Sequence, residues 1–294
     1  MLSLKLKDLS ISDAQNYLLH AIGPRPICFA STVNKAGNIN LSPFSFFNIF
    51  STNPAIIVFS PSRRVRDNST KHTLQNIEEV PEVVVNIVTY DILQQTSLSS
   101  CEYPKDVDEF LKAGLNKETS LLVKPPRVKE SPVQLECKVL EVKQLGIQAG
   151  AGNLIIAEVL MMHISTTILN EQGFIDQRKL DLVARLGGNW YTRANASNIF
   201  EVEKPNTRCG IGVDVLPANI RSSNILTGNN LGQLGNVHEF PVIDPLFEDE
   251  RLKNIFEYYA INPVEMEAEL HIYAKELLRE GKVQDAWQVL LALN

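Results

Sequence analysis

The chain lacks closely spaced cysteines. Its four, Cys28, Cys101, Cys137 and Cys209, form no C-x-x-C pair. Zinc sites and dithiol motifs need such pairs, so buried free thiols are the plainer reading. Also missing is any apolar run near the ~20 residues required to cross a bilayer. The start, MLSLKLKDLSISDAQNYL, has neither the apolar core nor the small-residue cleavage site of a signal peptide. A cytoplasmic protein with no membrane partner is the expectation, and the sequons at Asn40, Asn68 and Asn195 then carry no weight. Positive charge is short as well. A net charge of −6 argues against nucleic acid as a partner, because a phosphate backbone is gripped by surplus Lys and Arg.

Nucleotide-binding fingerprints are absent too. Gly150-x-Gly152 and Gly210-x-Gly212 have no third glycine at the required spacing and no strand-to-helix unit around them. No Walker loop, H-E-x-x-H or G-x-S-x-G occurs. The five histidines (His20, His72, His163, His238, His271) are scattered, so neither a metal ligand nor a catalytic side chain is assigned.

What is present is a globular composition: 294 residues, 44% hydrophobic and 21% charged, enough for one large domain or two ordinary ones. Short helices are expected over 12–20 (capped by Ser12 or Asp13), 70–79, 91–99, 107–114 and 176–185, and strands over 55–60, 83–90, 133–144 and 154–169. Residues 205–244 are rich in Asn, Gly and Pro and read as a long irregular surface segment. Helices at 246–260, 263–280 and 283–293 follow. The expectation is an antiparallel β domain over 1–204 and a loop-plus-helices extension over 205–294.

The most informative stretch is PRPICFASTVNKAGNINLSPFSFFN, residues 24–48. Apolar runs Ile27–Val33 and Ile39–Phe50 flank the polar, Gly-containing break 34–38, which reads as a hairpin. Ser31, Thr32, Ser42, Ser45 and Asn48 lie beside Phe44, Phe46 and Phe47. Hydrogen-bonding groups next to a flat apolar wall suit a planar, polar-edged ligand, although strand aromatics also serve as core. A second stretch, Ser60-Pro-Ser62-Arg63-Arg64-Val-Arg66 then Ser69-Thr70-Lys71-His72-Thr73, opens a helix. Helix N-termini bind phosphate through unpaired N–H groups, and hydroxyls with cations at Arg63, Arg64 and Lys71 would complete such a pocket. The alternative is that Ser69 merely caps the helix while the arginines sit in solvent.

Taken in order, several pieces of this chain resemble the flavin reductase-like, FMN-binding split-barrel family. They are Gly23-Pro24-Arg25-Pro26-Ile27, Ser31-Thr32, Asn40-Leu41-Ser42-Pro43-Phe44-Ser45-Phe46-Phe47-Asn48, Lys71-His72-Thr73-Leu74-Gln75-Asn76-Ile77 and Val83-Val84-Val85-Asn86. Asp108-Glu109-Phe110, Ala113-Gly114-Leu115 and Arg185-Leu186-Gly187-Gly188-Asn189-Trp190-Tyr191 complete the series, which covers about residues 15–195. The resemblance implies a mainly β fold: a six-stranded antiparallel split barrel with peripheral helices, paired as a homodimer with FMN near the subunit interface. It places Ser45, Phe46, Phe47 and Asn48, with Ser31 and Thr32, on the isoalloxazine and ribityl parts. Ser60, Arg63, Lys71 and Thr73 would take the phosphate. Asn86 would reach the flavin or knit strands together. The family often has an acidic residue where this chain has His72, which makes the phosphate end more positive.

The implied activity is hydride transfer from NAD(P)H to FMN, with the cofactor supplying the hard chemistry. A flavin carrier passing electrons to a protein acceptor, with little NAD(P)H activity, is an alternative, as is a non-catalytic split-barrel assembly protein. Arg185 is read as structural, pairing with a carboxylate rather than with a nicotinamide nucleotide, Gly187-Gly188 as a turn needing positive φ, Tyr191 as lying on the flavin or the partner subunit, and His163 as structural rather than a proton donor. The 205–240 loop is expected to help shape the substrate side of the pocket.

Overall fold

The computed structural model describes residues 1–205 and 208–293; Asn206, Thr207 and Asn294, which fall in the expected extension, lie outside the described residues. The described chain divides into two compact units, Met1–Phe200 and Glu201–Asn294.

The first unit is built on one antiparallel sheet. Its strands are β1 (Cys28–Val33), β2 (Ile39–Phe44), β3 (Phe47–Thr52), β4 (Ala55–Phe59), β5 (Glu82–Ile87), β8 (Val133–Gln144) and β9 (Asn153–Ile164), with β6 (Lys117–Glu118) and β7 (Arg127–Val128) forming a separate ribbon. The expected hairpin is there: β1 pairs with β2 from Val33↔Ile39 to Cys28↔Phe44. Gly37 turns it at φ +89, which only glycine adopts without strain.

The order across the sheet is β2-β1-β5-β8-β9-β4-β3. The run read as one strand, 39–50, is therefore two strands on opposite edges, and the sheet has seven strands. Only Ser45 and Phe46 separate β2 from β3, and at ~3.5 Å per residue so short a link cannot span a flat sheet. The two edges must curl toward each other. Closure without β2–β3 pairing makes this a split barrel.

Alternation along the strands fills the barrel. Cys28 and Ala30, Val83 and Val85, Leu135 and Cys137, Ile155 and Ala157, and Ile57 and Phe59 form one core, into which Leu74 and Ile77 plug from helix α2 (His72–Glu79). The opposite face of β1 and β2 carries Phe29 and Leu41, covered by Ile92 just before α3 (Leu93–Leu98) and by Phe110 and Ala113 of α4 (Glu109–Ala113). Gly114 ends α4 in the left-handed conformation, as its position suggested. Helix α1 (Ile11–Ala21) is capped by Ser10 rather than by Ser12 or Asp13.

Two further expectations fail. The segment read as a helix over 176–185 is helical only in α5 (Gln177–Leu180); the rest is β10 (Leu182–Arg185), paired with β11 (Tyr191–Ala194). The segment 205–244 is not a structureless surface run either. Its described part contains α6 (Ala218–Arg221) and α7 (Gly228–Gly235), and Leu216, Ile220, Leu226, Leu234 and Val237 are buried. They pack with α8 (Glu250–Tyr258), α9 (Pro263–Arg279) and α10 (Val283–Leu291) around Trp287, which is fully buried and donates from Nε1 to the Leu234 carbonyl at 3.3 Å. Among the described residues, no helix is long and apolar enough to cross a membrane.

Candidate functional site

The N-terminus of α2 is the centre of the site. Lys71 is its N-cap residue, and no side chain caps the helix. Ser69 is not the cap: its hydroxyl donates to Asp67 Oδ1 and accepts from Arg64 Nη1 at 2.9 Å. Leu74 and Gln75 donate their N–H groups back to the Lys71 carbonyl, while those of His72 and Thr73 have no acceptor among the described residues. Two free amides at the positive end of a helix favour an anion.

Buried polar side chains line the barrel end beneath this turn. Asn40 Nδ2 donates to Thr73 Oγ1 at 2.8 Å, and Asn76 Nδ2 donates to Thr32 Oγ1 at 3.2 Å. All four residues are buried. Alternation places Thr32 on the Cys28 and Ala30 face of β1, so it points into the barrel with Asn40. Ser31, one residue earlier, lies on the Phe29 and Leu41 face, where its hydroxyl is buried without a hydrogen-bond partner. The pair expected to hold one ligand together is thus divided between two faces.

Cations gather around the same turn. The half-buried Lys71 ammonium has no ion-pair or hydrogen-bond partner among the described residues. Burial, and then the Arg64 guanidinium nearby, hold its pKa below the usual lysine value. His72 is lowered by burial and then by Arg64 and Lys105. Arg64 bonds Ser69 Oγ and the Thr70 carbonyl through Nη1, while its Nε is buried with no hydrogen bond. Arg63 is spent elsewhere. Its Nε and Nη2 donate to Asn68 Oδ1 and to the Asn68 carbonyl, both at 2.7 Å, folding the arm onto itself. Arg64 Nε instead lies 3.3 Å from Glu102 Oε1.

The β2–β3 corner is tied to this arm. Ser60 N–H donates to the Phe46 carbonyl at 2.9 Å, and Ser60 Oγ accepts from Asn153 N at 3.1 Å. Asn153 Nδ2 in turn holds the Pro61 carbonyl. Within the corner, Phe47 packs on the barrel core, Ser45 is half-buried, and Phe46 and Asn48 face out. Asn86 stands apart. Fully buried, it donates to the Phe29 carbonyl and accepts from Val128 N, which is the strand-knitting role.

Other readings resolve at contact level. Among the described residues Arg185 pairs with no carboxylate; it donates to Tyr191 Oη and the Gly188 carbonyl, holding the β10–β11 hairpin. Gly188 has φ +57. His163 Nε2 lies 2.7 Å from Oε1 of the buried Glu136 and is structural. Cys28 and Cys137 are buried, but Cys101 and Cys209 are exposed. Sequence reasoning passed over Asn40, Asn76 and Asn153. The available signal was a polar residue at an inward position of an otherwise apolar face.

A family model of the flavin reductase-like domain matches residues 21–181. An uncharacterized protein of Halalkalibacterium halodurans is 34% identical over 206 residues, 69% of this chain and 97% of its own length. The structure of nitrilotriacetate monooxygenase component B from Bacillus cereus superposes with a TM-score of 0.64 at 29% identity, covering 69% of this chain and 98% of that one. A split barrel domain protein of Shewanella frigidimarina matches with a TM-score of 0.58 at 25% identity, over 68% of this chain and 96% of that one.

Proposed function

The chain belongs to the flavin reductase-like domain family, and on that premise we propose that it binds FMN and catalyses hydride transfer from NAD(P)H to it. The observation that carries this reading is the uncapped N-terminus of α2: among the described residues the His72 and Thr73 amides and the Lys71 ammonium have no partner, and the buried Arg64 Nε makes no hydrogen bond. That donor set fits a phosphate monoester, which brings two negative charges and three strong acceptors. FMN offers such a group and riboflavin does not.

The bound flavin supplies the hydride-accepting chemistry. The chain's part is binding and alignment. Lys71 and Arg64 neutralise the phosphate, and the α2 amides fix its orientation. Thr73 and Thr32 present hydroxyls held in place by Asn40 and Asn76. The Ser45–Asn48 corner, anchored by Ser60, would flank the ring system and position it for the nicotinamide. No side chain has to act as nucleophile or base.

A homodimer, a cytoplasmic location and a further electron acceptor, small molecule or protein, belong to the same proposal. An anaerobic visible spectrum of the FMN-loaded protein tests the activity. Bleaching of the flavin band by NADH or NADPH is expected; a yellow protein indifferent to both would instead favour an electron carrier.

A further inference from the structure

The cation cluster at α2 already holds a carboxylate. Glu102 sits in the loop between α3 and α4, its side chain 48% exposed. Oε1 lies 3.3 Å from Arg64 Nε, and Oε2 lies 2.9 Å from Arg66 Nη2. The Arg64 contact is a charge contact only, since Arg64 Nε makes no hydrogen bond. Arg66, 72% exposed, is shared with Asp67 and does not depend on Glu102 for a partner. The cations facing the cluster are Arg64, Lys71 and Lys105, beside an imidazole, His72, that burial and these cations hold below its usual pKa. Arg64 depresses Lys71, while Glu102 and then Asp67 ease it, and Asp106 eases His72.

We propose that the Glu102 carboxylate is an internal anion occupying the phosphate's place beside Arg64, which the ligand's phosphate must displace. The inference rests on the flavin reading above. An empty site with this many like charges is costly, and a carboxylate within reach lowers the cost. A phosphate has better geometry than Glu102, because its three oxygens can take Arg64 Nε, the Lys71 ammonium and the free α2 amides at once. Glu102 then swings away on its exposed loop and keeps its pair with Arg66. The ligand gains the cluster but loses the ion pair it replaces. Glu102 thereby weakens the grip on the phosphate alone and favours a flavin that is exchanged over one that is permanently held.

The test is a set of fluorescence titrations with FMN and riboflavin on the full chain and on the Glu102→Gln and Glu102→Ala variants. Both variants are expected to bind FMN about two- to fivefold more tightly, the range of a partly exposed ion pair, with riboflavin unchanged. If the wild type prefers FMN and neither variant increases that preference, the role of Glu102 is overturned while the flavin reading stands. If the wild type shows no preference for FMN over riboflavin, the phosphate site itself is refuted, and Glu102's role with it.

Discussion

Ser31 and Thr32 are neighbours in β1 and point in opposite directions, a distinction that residue type cannot signal because both are small hydroxyl residues. Strand parity decides it, and parity needs the register with Leu41 and Asn40. Arg63 and Arg64 differ in the same way: the first folds back on Asn68, the second bonds Ser69 and Thr70 just before α2 and leaves its buried Nε without a hydrogen bond. At this scale, residue type was enough to single out Lys71, Thr73, Thr32 and Ser60 as candidates, whereas Asn40, Asn76 and Asn153, which hydrogen-bond to Thr73, Thr32 and Ser60, needed the fold. Outside the site, His271 is a buried histidine whose neutral ring is favoured by its neighbour. Ser223 Oγ accepts from Ile225 N and Leu226 N, which leaves its own proton for His271 Nδ1 at 2.9 Å, an arrangement that suits the neutral ring. Burial lowers the His271 pKa, against a smaller opposing pull from Glu267. The unfolded chain takes up this proton near the ordinary value of about 6.5 and the folded chain only at lower pH, so stability present above that value is lost as pH falls. Melts followed by tryptophan fluorescence, where the change comes mainly from buried Trp287, should show a lower midpoint at pH 5 than at pH 7.5. His271→Asn should shrink that gap. An equal gap in the variant would remove His271 from the account.

Elements were legible where one local signal dominated and illegible where a distant partner decided. The β1–β2 hairpin follows from alternation around Gly37, and α9–α10 from apolar spacing broken at Gly281. The corner at Ser45–Phe46 carries no Gly or Pro, so the apolar run continues across it and conceals the change of sheet edge. Leu180, Leu182 and Val183 fit a helix by spacing. Pairing with β11 and a bridge from Leu182 to Thr89 make the second half a strand instead. In the extension, Leu216, Ile220, Leu226 and Leu234 are too irregularly spaced to announce helices, and their burial depends on the α9–α10 hairpin up to about 70 residues later. The α2 turn could be singled out as a candidate anion site because the residues that suggest it are local. The same composition left open the choice between a ligand and a Ser69 cap, and the bond between Ser69 and Asp67 removes the cap.

For the whole molecule, the family domain accounts for the first unit, and the Halalkalibacterium relative, matched over 97% of its length, leaves about three tenths of this chain without counterpart. The proposed homodimer draws on the first unit's edge. Strand β3 has a hydrogen-bonded neighbour on one side only and exposes Ile49 at 60% and Phe50 at 68%, an arrangement that proteins normally cover. Sedimentation should give twice the chain mass for the wild type and the single mass for Ile49→Asp/Phe50→Asp; a monomeric wild type would refute the dimer. The central claim is that the N-terminus of α2 holds the phosphate of FMN. It is tested most directly by titrating FMN and riboflavin into the full chain and into the Lys71→Ala/Thr73→Ala variant. Loss of hydrogen bonds to a charged group predicts FMN binding at least about tenfold weaker, with riboflavin binding, which reports the intact barrel, unchanged. Equal FMN affinity in the two proteins would contradict the account.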